Sequence, residues 1–236
     1  MRQAIWVILC SSLLAGTTLA LEAEIVSKTG EVKVRRGVDE HWQTAAAGLI
    51  LKEIDTIITG EAGEVILKIE DGLNFRLGAN AILDIADLRK ISKQQLYVYL
   101  TQQKLDNIEK RDEKTELQIT NTSVVHGTSQ ESTGENEPEV SLKEMWIKER
   151  NGAKALYDQQ FYPNTIIKLY RILSRYKTLE DCGETHYYLG KSFEALAQAG
   201  QATDAYQTVV TKSKSTSCKE NKWTEAAHLG LERLKE

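Results

Sequence analysis

The sequence lacks an excess of positive charge, and beyond its first twenty residues it lacks an apolar run long enough to cross a membrane. Its formal net charge is −4. Proteins that bind nucleic acids present basic surfaces, so this mild acidity gives no reason to expect a nucleic-acid partner. We therefore expect neither nucleic-acid binding nor a stable membrane span in the mature chain.

The motifs of the common catalytic chemistries are also missing. The sequence has no Gly-x-Ser-x-Gly elbow, no phosphate-binding loop and no dinucleotide fingerprint. The histidines do not have the spacing of metal ligands; they are His41, His126, His186 and His228. We expect no catalytic residue, no metal and no cofactor, and therefore a protein that is not an enzyme.

Residues 1–20 have the pattern of a secretory signal peptide. A positive charge at Arg2 is followed by an apolar run over 4–15. Two small residues, Thr18 and Ala20, then precede the expected cleavage site. We expect cleavage and export to an oxidising compartment, the periplasm in a bacterium. An uncleaved membrane anchor is the alternative.

Residues 21–128 carry the period-2 alternation that lets a strand bury one face and wet the other. Val32 and Val34, for example, alternate with charged residues. Asp71-Gly72 lies between two alternating runs, which is a strong hairpin signal. Further strands are predicted near 96–100, 117–120 and 124–125. The pattern predicts an all-β sandwich or roll.

The pattern changes at residue 129. Residues 129–138 contain no apolar side chain, which predicts a flexible linker within 129–140. From Ser141 onward the apolar period is helical, and Ser141 and Glu144 form a capping-box motif. Five helices are predicted, near 142–159, 164–176, 183–198, 202–213 and 221–235. The predicted fold class is α+β in two domains, an all-β domain followed by an all-α module.

The helical segment, residues 141–236, is self-similar. Leu189-Gly190 recurs as Leu229-Gly230, and Phe193 and Tyr206 follow the first copy. This pattern resembles the tetratricopeptide repeat. The resemblance implies stacked helix pairs whose first helices line a concave partner-binding face. The positions that map to this face are Lys148, Asn151, Ala155, Asp158, Glu184, Tyr187, Lys191 and Glu194.

The β segment has a resemblance of its own. The residues that carry it include Thr29-Gly30-Glu31-Val32, Trp42, Asp55, Asp71-Gly72, Phe75 and Val124-Val125. In this order they resemble a FecR domain, although Ile54 stands where that family usually has glycine. The resemblance implies a sensing, docking or scaffold module. Characteristic FecR regulators also carry an anti-sigma segment and a membrane span before this domain, whereas here a predicted signal peptide precedes it, so we expect no signalling to a sigma factor.

These patterns together predict an exported, non-enzymatic adaptor that binds a protein partner in the cell envelope through its helical repeats. The alternative is a protein that binds cell-wall glycan or polysaccharide through the β domain, because sugar rings stack on aromatic faces. The candidates for that alternative are Trp42, Tyr97 and Tyr99, with the two tyrosines on the same side of a predicted strand.

The cysteine positions predict one disulfide. Cys10 leaves with the signal peptide, so the mature chain keeps Cys182 and Cys218. In the repeat register, both occupy the loop after the second helix of a unit, and consecutive loops share one edge of a solenoid. An oxidising compartment favours a bridge between them, and two unpaired thiols are the alternative.

Overall fold

The computed structural model describes residues 21–69, 72–112, 141–215, 218 and 221–235, in an N-terminal β region followed by a helical region. The fold class is therefore α+β, as predicted. The signal peptide at 1–20, the strands near 117–120 and 124–125 and the linker at 129–140 all lie outside the described residues.

The β region consists of two antiparallel sheets of four strands each. The strands are β1 (Glu22–Thr29), β2 (Val32–Arg35), β3 (Trp42–Thr44), β4 (Ile50–Lys52), β5 (Thr56–Thr59), β6 (Glu64–Ile69), β7 (Asn74–Leu77) and β8 (Ile82–Asp84). One sheet has the order β4-β1-β6-β7 and the other has the order β3-β2-β5-β8. A 3₁₀ turn, Ile85–Leu88, follows β8.

Both sheets contribute their alternating apolar residues to one buried core. Ile25 and Leu67 come from the first sheet, and Val34, Ile57 and Leu83 come from the second. Full burial of one such side chain contributes about 1.5–3 kcal/mol to folding. This shared core confirms the strand alternation predicted over these residues.

The predicted hairpin joins β6 and β7. The two strands pair antiparallel, with Lys68 opposite Asn74. Gly72 lies in the turn with φ of 73°, a left-handed conformation that glycine adopts without steric cost. Gly72, the described residue of the Asp71-Gly72 pair, therefore has the turn conformation that the sequence predicted.

The strand predicted near 96–100 is wrong, because these residues lie in helix α1 (Lys93–Asp112). Ser92 and Gln95 form a capping box, with each side chain accepting a hydrogen bond from the other residue's backbone N–H. Leu96 is buried against the helical region. Tyr97 is 71% exposed, whereas Tyr99 is half-buried, so the two tyrosines do not share a face.

Five further helices form the helical region: α2 (Leu142–Asp158), α3 (Tyr162–Arg175), α4 (Glu184–Ala195), α5 (Ala199–Lys212) and α6 (Lys222–Arg233). Each corresponds to one predicted helix. The capping box of Ser141 and Glu144 at the start of α2 is confirmed. None of the helices in the described ranges combines the length and apolarity that a membrane crossing requires.

Helices α2 to α6 pack in chain order, and α4 also contacts both α2 and α6. Tyr206 of α5 is fully buried between Gly190 of α4 and Gly230 of α6. A Cβ atom at either glycine would lie 2.5–2.6 Å from the tyrosine ring. The glycines of the two Leu-Gly pairs thus leave room for the Tyr206 ring on both of its sides.

The β region and the helical region pack directly against each other. Leu156 of α2 is part of the β-region core. Asp87 of the 3₁₀ turn accepts hydrogen bonds from Lys168 and Arg171 of α3, and both Asp87 and Lys168 are buried. Gly152 of α2 lies against the backbone of β8, where its ideal Cβ would be 2.0 Å from the Ile82 carbonyl oxygen.

Candidate protein-binding surface

The predicted partner-binding residues divide into two groups in the structure. Lys148 and Asn151 of α2 contact the chain's own β region. Lys148 Nζ donates to Asn80 Oδ1 at 2.6 Å, and Asn151 Nδ2 donates to the Asn80 carbonyl at 2.7 Å. Asn80 lies in the turn between β7 and β8 with φ of 50°. Lys148 and Asn151, which were predicted to bind a partner, therefore bind a turn of the same chain.

The other predicted residues lie farther along α2 and on α4. Asp158 forms an exposed ion pair with Lys154. Glu184 pairs with Arg150 at 2.8 Å and so links α4 to α2. Ala155 is half-buried and packs against the β-region core.

Glu194 connects the C-terminal halves of α4 and α6. It accepts hydrogen bonds from the Tyr206 hydroxyl at 2.6 Å and from Arg233 Nε at 2.9 Å. The Arg233 hydrogen bond is the main reason that the pKa of Glu194 falls to about 2. Lys191 lies 3.6 Å from the same carboxylate. Glu194 is therefore ionised at neutral pH and holds the two helices together.

The remaining predicted residue, Tyr187, belongs to a continuous group of aromatic side chains across four helices. We call this group the aromatic face: Tyr157, Tyr162, Tyr187, Tyr188 and Trp223.

Successive ring centroids of the aromatic face lie 5.2–5.7 Å apart. Tyr188 contacts Tyr157 of α2, Tyr187 of α4 and Trp223 of α6. These spacings are typical of favourable tilted and edge-to-face aromatic pairs. Tyr188 is therefore the residue through which the rings of the three helices meet.

All five rings of the aromatic face are half-buried, so each one keeps part of its surface in solvent. Burial is the main cause that raises the pKa of Tyr157 and Tyr188 to about 12, which keeps both hydroxyls neutral at physiological pH. In the described part of the chain, neither hydroxyl has a hydrogen-bond partner. The face thus offers apolar ring area together with two hydroxyl groups that the described residues leave without a hydrogen bond.

Positive charges border the aromatic face. Lys154 Nζ lies 5.8 Å from the centre of the Tyr188 ring, and Lys222 Nζ lies 4.4 Å from that of Trp223. Both distances allow cation–π attraction. Tyrosine and tryptophan are enriched in protein–protein hot spots whereas lysine is depleted from interface cores, so the rings match the composition of a hot spot and the two lysines lie at its rim.

The sequence prediction found only Tyr187 of the aromatic face. Tyr157, Tyr162, Tyr188 and Trp223 are not among the predicted partner-binding residues. The signal that could have found them is the presence of aromatic residues at similar heights along the predicted helices α2, α4 and α6.

The residues proposed for glycan binding are dispersed. Trp42 is half-buried on β3, with the Arg35 guanidinium carbon 5.2 Å from the centre of its ring. Tyr97 and Tyr99 lie on different faces of α1, so the expectation that they share one side of a strand is wrong.

The predicted disulfide joins Cys182 and Cys218, whose Cα atoms lie 5.1 Å apart. Among the described residues, no group of three or more His, Cys, Asp or Glu side chains is arranged to hold a metal ion.

No protein-family model, curated protein or solved structure matches this chain.

Proposed function

We propose that this protein is an exported, non-enzymatic adaptor that binds a protein partner of the cell envelope through its aromatic face. The observation that carries the proposal is the group of half-buried rings across α2, α3, α4 and α6. A small number of aromatic side chains, backed by packed helices, provides most of the binding energy in typical interfaces.

The wider architecture supports the same function. The order of the helices, and the fit of Tyr206 between Gly190 and Gly230, agree with a tetratricopeptide-like repeat module. The two antiparallel sheets agree with a FecR-like domain that serves as a scaffold. A disulfide agrees with an oxidising compartment. Glycan binding through the β region has less support, because its candidate aromatic residues do not form a common surface.

Alanine substitutions in the aromatic face test this proposal. Tyr188→Ala and Trp223→Ala should each weaken partner binding by about 2 kcal/mol or more, about 30-fold in Kd, because each change removes a ring from the centre of the surface. The measurement is capture of a partner from envelope extract, followed by titration of that partner by calorimetry.

Tyr97→Ala is the matched control, because Tyr97 is an exposed tyrosine on α1, which the aromatic face does not include. We expect no change in Kd for this variant. The proposal is wrong if all three variants bind alike, or if the protein sediments with cell-wall glycan whether or not the aromatic face is intact.

A further inference from the structure

The disulfide joins the starts of the two helices whose aromatic residues meet. Cys182 directly precedes Gly183, the N-cap of α4, and Cys218 comes shortly before Asn221, the N-cap of α6. Tyr187 and Tyr188 lie in the first turns of α4, and Trp223 is the second residue of α6. The bridge is therefore close in the chain to the contacts of Trp223 with Tyr187 at 5.2 Å and with Tyr188 at 5.7 Å.

Cys218 also holds the start of α6 through its backbone. Asn221 Nδ2 donates a hydrogen bond to the Cys218 carbonyl at 2.8 Å. The Asn221 carboxamide oxygen accepts hydrogen bonds from the backbone N–H groups of Trp223 and Thr224. One side chain thus connects the bridged loop to the helix end that carries Trp223, and such a cap stabilises the first turn of a helix.

The loop before α4 has an unusual backbone. Cys182 has φ of 50° and Gly183 has φ of 91°, and the left-handed conformation is unfavourable for a non-glycine residue. Gly183 also packs closely on α5, where an added Cβ would lie 2.9 Å from a methyl group of Val209. Asp181 also accepts hydrogen bonds from the backbone N–H groups of Gly183 and Thr185, so the bridge joins the start of α6 to a helix start that other contacts already hold.

The opposite ends of α4 and α6 are held without the disulfide. Glu194 and Arg233 form an ion pair near the C-termini of the two helices, and Tyr206 packs against both helices. Loss of the bridge should therefore loosen the first turns of α6 and leave the rest of the helix docked.

We propose that the Cys182–Cys218 disulfide gates the aromatic face, so that the protein binds its partner more tightly in the oxidised state than in the reduced state. The proposal rests on the proposed function. In a reducing compartment, the two thiols leave the start of α6 unfixed and Trp223 away from the tyrosines.

After export, exchange with the disulfide of a thiol oxidoreductase forms the bridge. Both thiols are oxidised to one cystine, and the oxidoreductase disulfide accepts the two electrons and two protons to become a dithiol. In the oxidised protein Cys182 is half-buried whereas Cys218 is fully buried, so a reducing thiol reaches the bridge from the side of Cys182.

Amide hydrogen exchange of the full exported chain, with and without dithiothreitol, tests the gate. We expect exchange in the first turns of α6 to become about tenfold faster on reduction, while exchange in β6 stays unchanged. Binding of the captured partner should weaken about tenfold if the competent state falls to about one tenth of the population. Reoxidation should reverse both effects.

A double variant, Cys182→Ser with Cys218→Ser, is the control, and it should behave like the reduced protein with or without dithiothreitol. Unchanged exchange in α6 on reduction would overturn the gate. Loss of protection throughout α2 and α3 would also overturn it, because the bridge would then maintain the whole fold. If the oxidised protein captures no partner, the proposed function fails, and exchange in α6 still decides whether the bridge fixes that helix.

Discussion

Replacing Gly152 with alanine should destabilise the protein by about 3 kcal/mol, because the added methyl group would overlap the backbone of β8. The ideal Cβ lies 2.0 Å from the Ile82 carbonyl oxygen and 3.4 Å from a methylene carbon of Lys168. A backbone oxygen cannot move aside as a flexible side chain can. The helix and the sheet would therefore have to separate. Urea unfolding, monitored by circular dichroism, measures the loss.

Gly200→Ala is the matched control, because Gly200 is also helical and its added Cβ would have no neighbouring atom within 4 Å. That change should be neutral or should stabilise the protein by about 0.5–1 kcal/mol, since alanine is the better helix former. Equal unfolding midpoints for the two variants would mean that α2 does not lie against β8.

The second large effect is expected at the buried ion pair between the two regions. Asp87→Ala should cost about 3–5 kcal/mol, because it leaves the buried ammonium of Lys168 without its counter-charge. Asn164, which donates to the carbonyls of Asp87 and Arg89, lies beside this pair and cannot neutralise it.

Asp158→Ala provides the comparison with an exposed pair. It removes the partner of Lys154, and this change should cost less than about 1 kcal/mol because solvent screens the interaction. Similar losses at Asp87 and Asp158 would contradict the buried position of the Asp87–Lys168 pair.

The same pair predicts a dependence of stability on pH. Burial by itself would raise the pKa of Asp87, but the charges and hydrogen bonds of Lys168 and Arg171 outweigh it and lower the pKa below its usual value. The stabilisation is therefore complete above the pKa of the unfolded carboxyl, about 3.9, and is lost as the pH falls through the lower folded pKa. The difference in unfolding free energy between the wild type and Asp87→Ala should shrink only in that acidic range.

The helices from α2 to α6 could be predicted because each one has an apolar stripe. The capping box at Ser141 and the repeated Leu-Gly pair are local signals, which can be recognised without knowledge of the fold. The disulfide could be predicted from the self-similarity of the helical segment and from the two cysteines that remain after residue 20.

Helix α1 was predicted incorrectly because its sequence satisfies two periods at once. Leu96, Val98 and Leu100 alternate like the residues of a strand, and tyrosine and valine favour strands. From Leu96 onward, the buried and half-buried positions are instead Leu96, Tyr99, Leu100 and Gln103, which follow the helical period. The capping box at Ser92 and Gln95 was the overlooked signal.

The contacts between the β region and the helical region could not be predicted from the sequence. Periodicity shows which face of an element is buried, but it does not show what covers that face. Nothing in the sequence pairs Asp87 with Lys168, or shows that Lys148 and Asn151 hold the Asn80 turn rather than an outside partner. The aromatic face is assembled from four helices, and the sequence alone does not show that their aromatic residues meet on one surface.

Photo-crosslinking in the intact cell envelope tests the central claim most directly. A benzophenone amino acid placed at Tyr188 keeps an aromatic side chain at the centre of the aromatic face, and the same group at Tyr97 serves as the control on α1. The proposed function predicts a discrete protein adduct from position 188 under oxidising conditions, and none from position 97. The account is contradicted if position 188 forms no protein adduct, or if position 97 yields the same adduct as position 188.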